Sequence, residues 1–378
     1  MPDFYNKKIG DVKDFTEKYN IELEINEVFD DDIDKDNIVW QNIKEKEKIK
    51  KDTKIIVSVS KGKNLTKLYQ EYNVDESGRI PIMMYHGIAN IKDSDTGYTG
   101  GNVDKDGYTR TAESFRKDLD FYYKEGYRMI RLDDYIDGNI DIELGKSPIV
   151  LTFDDGLENN IKVTGLDSDG NIIIDLDSAV GIMEEYKKKY PDYNITATFF
   201  VNGELFKQSQ YNEKILNWLI DNGYDIGNHT YTHVDFTTID ENESIKEVGK
   251  MYQTLDNIIK GKYVKIVALP FGSPYDDNHE NFKYILSGTY NEYTYNSKST
   301  LRVGWEADYS PFSANFNPQF IKRIRAYDNN GENFDIKMNF NIIKNTRYIS
   351  DGDISTVVVP KKYEDIIKSD IHKQLIVY

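Results

Sequence analysis

From Ile80 onward, short apolar runs of strand length alternate with segments of helical period. IPIMMYH, SPIVLTF, NITATFFV, YDIGNH and VKIVALPFG read as strands. ESFRKDLDFYYKEGY, AVGIMEEYKKKY, YNEKILNWLIDNG and a stretch from about 241 to 260 read as the helices between them. Strands separated by helices cannot close as tight hairpins, so the pattern predicts α/β architecture around a largely parallel sheet. Two inserts interrupt it, NVDKDGY and the hairpin-like VTGLDSDGNIIIDLD. Each contains D-x-D-G, but neither supplies the remaining ligands of a calcium loop, so both read as Asp-Gly turns.

The first 62 residues are organised differently. IGDVKDFTEKY places Ile9, Val12, Phe15 and Tyr19 at helical spacing. ELEINEVF, IVWQN and KIIVSVSKG read as three strands, and the acidic DDDIDKD as a solvated turn. This order resembles the PASTA module of bacterial cell-wall proteins, through MPDFYNKKIGDVKDF, the V-W-Q-N of Val39 to Asn42, and KKDTKIIVSVSKG. The resemblance implies an envelope location and contact with peptidoglycan. The expected division is a PASTA-like α+β domain over 1–62, a polar linker over 63–79 and a larger domain over 80–378.

Composition narrows the partners. A net charge of −17 argues against nucleic acid, whose phosphates need a basic footprint. No stretch approaches the roughly 20 apolar residues needed to span a bilayer. MPDFYNKKIG lacks the apolar region of a signal peptide, so the chain reads as cytoplasmic or as one whose export segment or anchor has been removed. With no cysteine, thiolate nucleophiles and Cys-bound zinc are excluded, which leaves His, Asp and Glu as metal ligands.

Those residue types recur at strand ends. LTFDDG puts Asp154 and Asp155 at the carboxyl end of an apolar strand, where a plain Asp-Gly turn is the alternative. NHTYTH places His229 and His233 four apart, so on a helical turn they would face one ion. His86 follows IPIMMY, and Pro270 and Phe271 follow VKIVAL. The carboxyl edge of a parallel sheet is where ligands and catalytic groups collect. Two imidazoles and one carboxylate form a three-ligand site with room for water.

TFDDG, HTYTH and a strand ending in PFG together resemble the polysaccharide deacetylase family, the NodB-homology group of carbohydrate esterases, over about residues 80 to 360. The resemblance implies a distorted (β/α) barrel with fewer than eight regular strands. It implies Asp154 as general base, and Asp155, His229 and His233 as ligands of a divalent metal, usually Zn2+. It also implies that the Phe271 N–H, after Pro270, helps to hold the oxyanion. The family's third motif carries an arginine that steadies the base, but Ala268 stands at that position here, with Arg323 and Arg325 as candidate replacements. For the general acid, His86 fits better than the late His372, because one subgroup places an early Y-H in that role. His279 reads as incidental. Trp305 is the candidate sugar-stacking ring and Tyr275 a weaker one; Arg323 is also a candidate for substrate contact.

The expected activity is metal-dependent N-deacetylation of an envelope glycan by a monomeric protein, with peptidoglycan N-acetylglucosamine or poly-N-acetylglucosamine as substrate. A non-catalytic glycan-binding protein and a polysaccharide O-acetyl esterase are the alternatives, the first because the motif arginine is missing.

Overall fold

The computed structural model describes residues 1–50, 53–89 and 103–378. Lys51 and Asp52 of the PASTA-like ending, and Asn102 of NVDKDGY, lie outside the described residues. The chain divides into two compact units, Met1–Asn73 and Val74–Tyr378.

In the smaller unit, helix α1 (Ile9–Tyr19) precedes strands β1 (Glu22–Val28), β2 (Ile38–Gln41) and β3 (Lys54–Ser60). The sheet order is β1-β3-β2, with β1 parallel and β2 antiparallel to β3. Alternation along β3 sends Ile55, Val57 and Val59 inward onto Val12, Phe4 and Ile38. In the acidic turn the Asp30 carboxylate accepts the N–H groups of Asp32 and Ile33. The segment read as a linker contains helix α2 (Leu65–Tyr72), whose first turn is capped by the Asn64 side chain.

The larger unit begins with Val74. Glu76 is buried and accepts hydrogen bonds from the Tyr348 hydroxyl and the Val358 N–H. Strands β4 (Ile82–Tyr85), β5 (Gly87–Ala89) and β6 (Thr109–Thr111) lead into helix α3 (Ala112–Lys124), capped by Thr111. β7 (Tyr127–Met129), α4 (Leu132–Asp137) and β8 (Ser147–Phe153) follow, and every residue of β8 is buried, as a strand covered on both faces requires. The second insert is an antiparallel hairpin of β9 (Val163–Leu166) and β10 (Ile172–Ile174). Then α5 (Ala179–Lys189), β11 (Thr198–Val201), α6 (Asn212–Asp221), β12 (Asp225–Asn228), α7 (Glu241–Ile259) and β13 (Ile266–Ala268) continue the alternation. Helix α8 (Phe282–Leu286) and a hairpin of β14 (Ser287–Tyr290) and β15 (Tyr293–Asn296) precede β16 (Ser299–Leu301). β17 (Ile324–Arg325), α9 (Ile336–Ile343) and the parallel pair β18 (Thr356–Val359) and β19 (Gln374–Val377) complete the unit.

The central sheet runs β16-β13-β12-β11-β8-β4-β17, with β7 beside the start of β8. All its pairings are parallel. Its edges converge, because Leu301 of β16 bridges to Ile321, three residues before β17. The sheet therefore curls into an irregular barrel, with helices packed on its outer face.

A buried ion pair holds the first insert in place. Arg110, almost fully buried, forks onto Asp118 of α3 at 2.9 and 2.6 Å and reaches Asp328 at 2.7 Å. Asp104, from NVDKDGY, accepts the Thr111 N–H and the hydroxyls of Thr111 and Ser114. Replacing Arg110 by alanine strands a buried carboxylate at Asp118, so unfolding free energy is expected to fall by about 3–5 kcal/mol. Urea titration reads this, and Arg110→Met with Asp118→Leu should recover part of the loss.

Candidate active site

Because β4, β8, β12 and β13 share one direction, the residues that follow them emerge at the same edge of the barrel. His86 follows β4, Asp154 and Asp155 follow β8, His229 follows β12, and Pro270 and Phe271 follow β13. That edge is the carboxyl end of the sheet.

Two adjacent aspartates on a regular strand would point to opposite faces. β8 stops at Phe153, and the Asp154 N–H still bonds the Tyr85 carbonyl at 2.9 Å. Asp155 then takes a left-handed conformation at φ +74°, followed by Gly156 at +57°. This kink replaces the strand's alternation, so Asp154 stays buried while Asp155 is half-buried and faces the histidines.

Asp155 Oδ1 lies 3.1 Å from His229 Nε2 and 3.3 Å from His233 Nε2. The donor atoms of these three residues all fall within 4.8 Å of one another. His229 Nδ1 sits 2.8 Å from the Ala268 carbonyl, which can only accept, so Nδ1 carries a proton and Nε2 is the atom turned toward Asp155. A carboxylate and an imidazole nitrogen that close are joined by a positive charge, either a second ring proton or a cation. Ligands about 2.1 Å from one tetrahedral ion would be about 3.4 Å apart, close to the separations seen here. The orientation of His229 by a carbonyl is also how metal-bound imidazoles are usually held. The set fits a divalent cation.

A helical turn is not what brings the histidines together. Residues 229–233 form an irregular loop with Thr230 at φ +61° and His233 at +60°. The loop is tied to α7 by Glu247, which is buried and accepts the Thr232 N–H at 2.7 Å and the Thr232 hydroxyl at 2.9 Å. The spacing of four therefore worked for a different geometric reason: two left-handed residues fold the loop back on itself.

Beneath this cluster, Asp154 is 1% exposed and Arg323 0%. The guanidinium meets the carboxylate with both arms, Nη1 to Oδ1 at 2.8 Å and Nη2 to Oδ2 at 2.7 Å. It also donates to Thr152 Oγ1 and, through Nε, to the Arg302 carbonyl. Burial alone would raise the pKa of Asp154, but the Arg323 charge overcomes it, with help from His229, and holds the group below the ordinary carboxylate range. With no surface exposed, Arg323 has nothing to offer a sugar directly. Arg325, the other candidate, lies elsewhere: its guanidinium is 5.6 Å from the Tyr108 ring.

His86 is half-buried, and its Nδ1 donates to the Gly107 carbonyl at 2.9 Å, leaving Nε2 for the cleft. Burial lowers its pKa, and the opposing pull of Asp154 and Asp155 does not cancel that. Pro270 is buried, whereas Phe271 is 56% exposed at φ +58° with its ring 4.7 Å from His233. The hydrogen bonds of this turn run from Gly272 to Leu269 and from Ser273 to Pro270, and neither uses the Phe271 N–H. Trp305 is 50% exposed, with the Arg302 guanidinium 5.6 Å from its ring, and its backbone bridges to Ile324 of β17. Tyr275 and His372 are exposed, and His279 turns inward only to accept the Asn281 N–H. Thr152, Glu247 and Tyr108 escaped the sequence reading. A glutamate at a position of α7 flanked by Ser244, Val248 and Met251 was the available signal for Glu247; Tyr108 carried none.

The family model for polysaccharide deacetylase matches residues 141–284, and that for the PASTA domain matches residues 1–61. A curated peptidoglycan-N-acetylglucosamine deacetylase of Bacillus cereus is 28% identical over 127 residues, 34% of this chain and 37% of the relative. The chain thus spans little more than a third of that relative's length. Among solved structures, the Streptococcus pyogenes deacetylase PplD in complex with acetate superposes over 67% of this chain and 94% of its own, at 19% identity and TM-score 0.49. A de-N-acetylase from Aggregatibacter actinomycetemcomitans covers 66% and 95%, at 12% identity and TM-score 0.43.

Proposed function

The chain carries a polysaccharide deacetylase domain behind an N-terminal PASTA domain, and from this premise we propose that it hydrolyses N-acetyl groups of a cell-envelope glycan. Peptidoglycan N-acetylglucosamine is the proposed sugar, the substrate for which the Bacillus cereus relative is named. The PASTA domain is proposed to contact the same polymer outside the cytoplasm. Among the described residues no helix is long and apolar enough to cross a membrane.

The observation that carries this reading is one carboxylate and two imidazoles converging within 4.8 Å, beside a second carboxylate held by its own arginine. Asp155, His229 and His233 would hold the cation, proposed as Zn2+. When bound, such an ion polarises a carbonyl and lowers the pKa of water from about 16 toward 7.

The chain's own groups do the rest. Arg323 keeps Asp154 ionised, ready to take a proton from water as its oxygen adds to the acetamide carbon. The Phe271 N–H, which the hydrogen bonds of its turn do not use, would donate to the developing oxyanion. His86, protonated at Nε2, gives that proton to the sugar nitrogen as the C–N bond breaks, releasing acetate and a free amine. The test is acetate release from peptidoglycan and chitooligosaccharide by protein stripped with chelator and then titrated with Zn2+. Release restored by the metal supports the reading. Binding of glycan without release under any divalent cation would make this a glycan-recognition protein.

His86→Ala is expected to lower kcat by about 10²–10⁴. Only the protonated imidazole donates, so the wild-type rate should fall as pH rises through the His86 pKa. Burial places that fall at lower pH than an ordinary histidine would. The limb should vanish in His86→Ala. A crippled His372→Ala beside a healthy His86→Ala would reassign the acid.

A further inference from the structure

We infer that Tyr108 is the sugar-stacking surface beside the acid, against which the ring that bears the acetamide packs. The inference rests on the deacetylase reading and deepens it by naming a residue that positions the substrate.

The leaving amine belongs to a sugar ring, so that ring must lie next to the group that protonates the nitrogen. Among the described residues, Tyr108 is the aromatic in ring contact with His86, 47% exposed with its centroid 5.3 Å from that of the imidazole. Phe271 lies against His233 instead, and the Trp305 ring lies beside the Arg302 guanidinium. Sugars present faces of C–H bonds that pack on aromatic rings, and a stacking surface works best when it does not have to be ordered on binding.

Tyr108 is held in that way. Its N–H bonds Asp106 Oδ1 at 3.0 Å, and its carbonyl accepts the Gly87 N–H at 3.1 Å, tying it to the residue after His86. β5 and β6 extend the same connection, pairing Gly87 with Thr109. The Arg325 guanidinium lies 5.6 Å from the Tyr108 ring, and among the described residues no carboxylate lies within ion-pair distance of it. Arg325 also fills the space beside Gly107, where an added Cβ would come within 2.2 Å of its side chain. Gly107, at φ +82°, thus lets one short loop both accept from His86 and rest on Arg325. The acid and the ring beside it are thus anchored by the backbone of the same short loop, which a change at the Tyr108 side chain leaves intact.

The experiment compares wild type, Tyr108→Ala and Tyr108→Phe on a β-1,4-linked N-acetylglucosamine pentamer and on ethyl acetate, an ester with neither a sugar nor an aromatic ring to stack. Tyr108→Ala should raise KM for the pentamer about fivefold to tenfold. Its kcat should stay within about twofold, with hydrolysis of the ester unchanged. Tyr108→Phe, which keeps the ring, should behave as wild type. Three results overturn the inference: an unchanged pentamer KM in Tyr108→Ala, an equal loss on the ester, or a Phe variant as defective as the Ala variant. If wild type releases no acetate at all, the deacetylase reading fails by itself. Calorimetric binding of the pentamer to wild type and Tyr108→Ala then decides the inference, and equal affinity overturns it.

Discussion

His229→Ala is expected to lose stoichiometric divalent-cation binding and acetate release together. His229 offers Nε2 to the cluster while its other nitrogen is committed to the Ala268 carbonyl, so no rotation of a neighbour replaces it. One proton carrier is worth about 10²–10⁴ in rate. Loss of the ion removes carbonyl polarisation and water activation at once, so the drop should exceed that range. The Ala268 carbonyl is left without its partner, which costs about 1–3 kcal/mol of stability. Calorimetric titration of Zn2+ and a thermal melt separate the two effects. Wild-type cation affinity in a folded His229→Ala protein would remove this residue from the ligand set.

Asp154→Asn should have the opposite signature: cation binding retained, acetate release down by about 10²–10⁴. The hydrogen bonds of the Asp154 carboxylate go to Arg323 on both oxygens, whereas His229 and His233 bond to Asp155. The amide cannot take a proton from water. It also leaves the Arg323 charge fully buried without a counter-ion, and unfolding free energy should fall by about 3–5 kcal/mol. The pH dependence has a definite sign. The Asp154 pKa is held below the ordinary carboxylate value, so in protein still loaded with cation the base should stay ionised on acidification past the pH where a free carboxylate is half protonated. Protonation of Asp154 itself should limit the rate only below that value, and loss of the cation from protonated imidazoles is separated from it by measuring Zn2+ binding at each pH. Substantial residual activity in Asp154→Asn would take Asp154 out of the base role.

Much of the architecture was legible locally. SPIVLTF is apolar throughout, and only a strand covered on both faces can use such a run; β8 is buried at every position. The helices predicted at IGDVKDFTEKY and from about 241 to 260 appear as Ile9–Tyr19 and Glu241–Ile259, each within a residue of the periodic pattern. VTGLDSDGNIIIDLD forms the antiparallel hairpin that its Asp-Gly turn indicated. The candidate site was legible as a set of residue types at strand ends, and the parallel sheet brings those ends to one edge. The geometry within the set was less so. A helical turn was expected between His229 and His233, whereas an irregular loop with two left-handed residues does that work.

What the amino-acid order determined alone was the run of strands and helices, the direction in which the strands must pair, and the carboxylates and imidazoles that terminate them. Period and turn chemistry act over a few neighbouring residues, so they can be read without knowing what lies across the barrel. Tertiary structure alone decided that Arg323 forks onto Asp154, because the segment before β17 returns to the sheet only after β4 through β16 have been laid down. It likewise decided that Glu247 staples the histidine loop and that Tyr108 stands beside His86. The partner of a buried charge, or the ring next to an acid, depends on which distant segments share one desolvated space, and no local pattern encodes that.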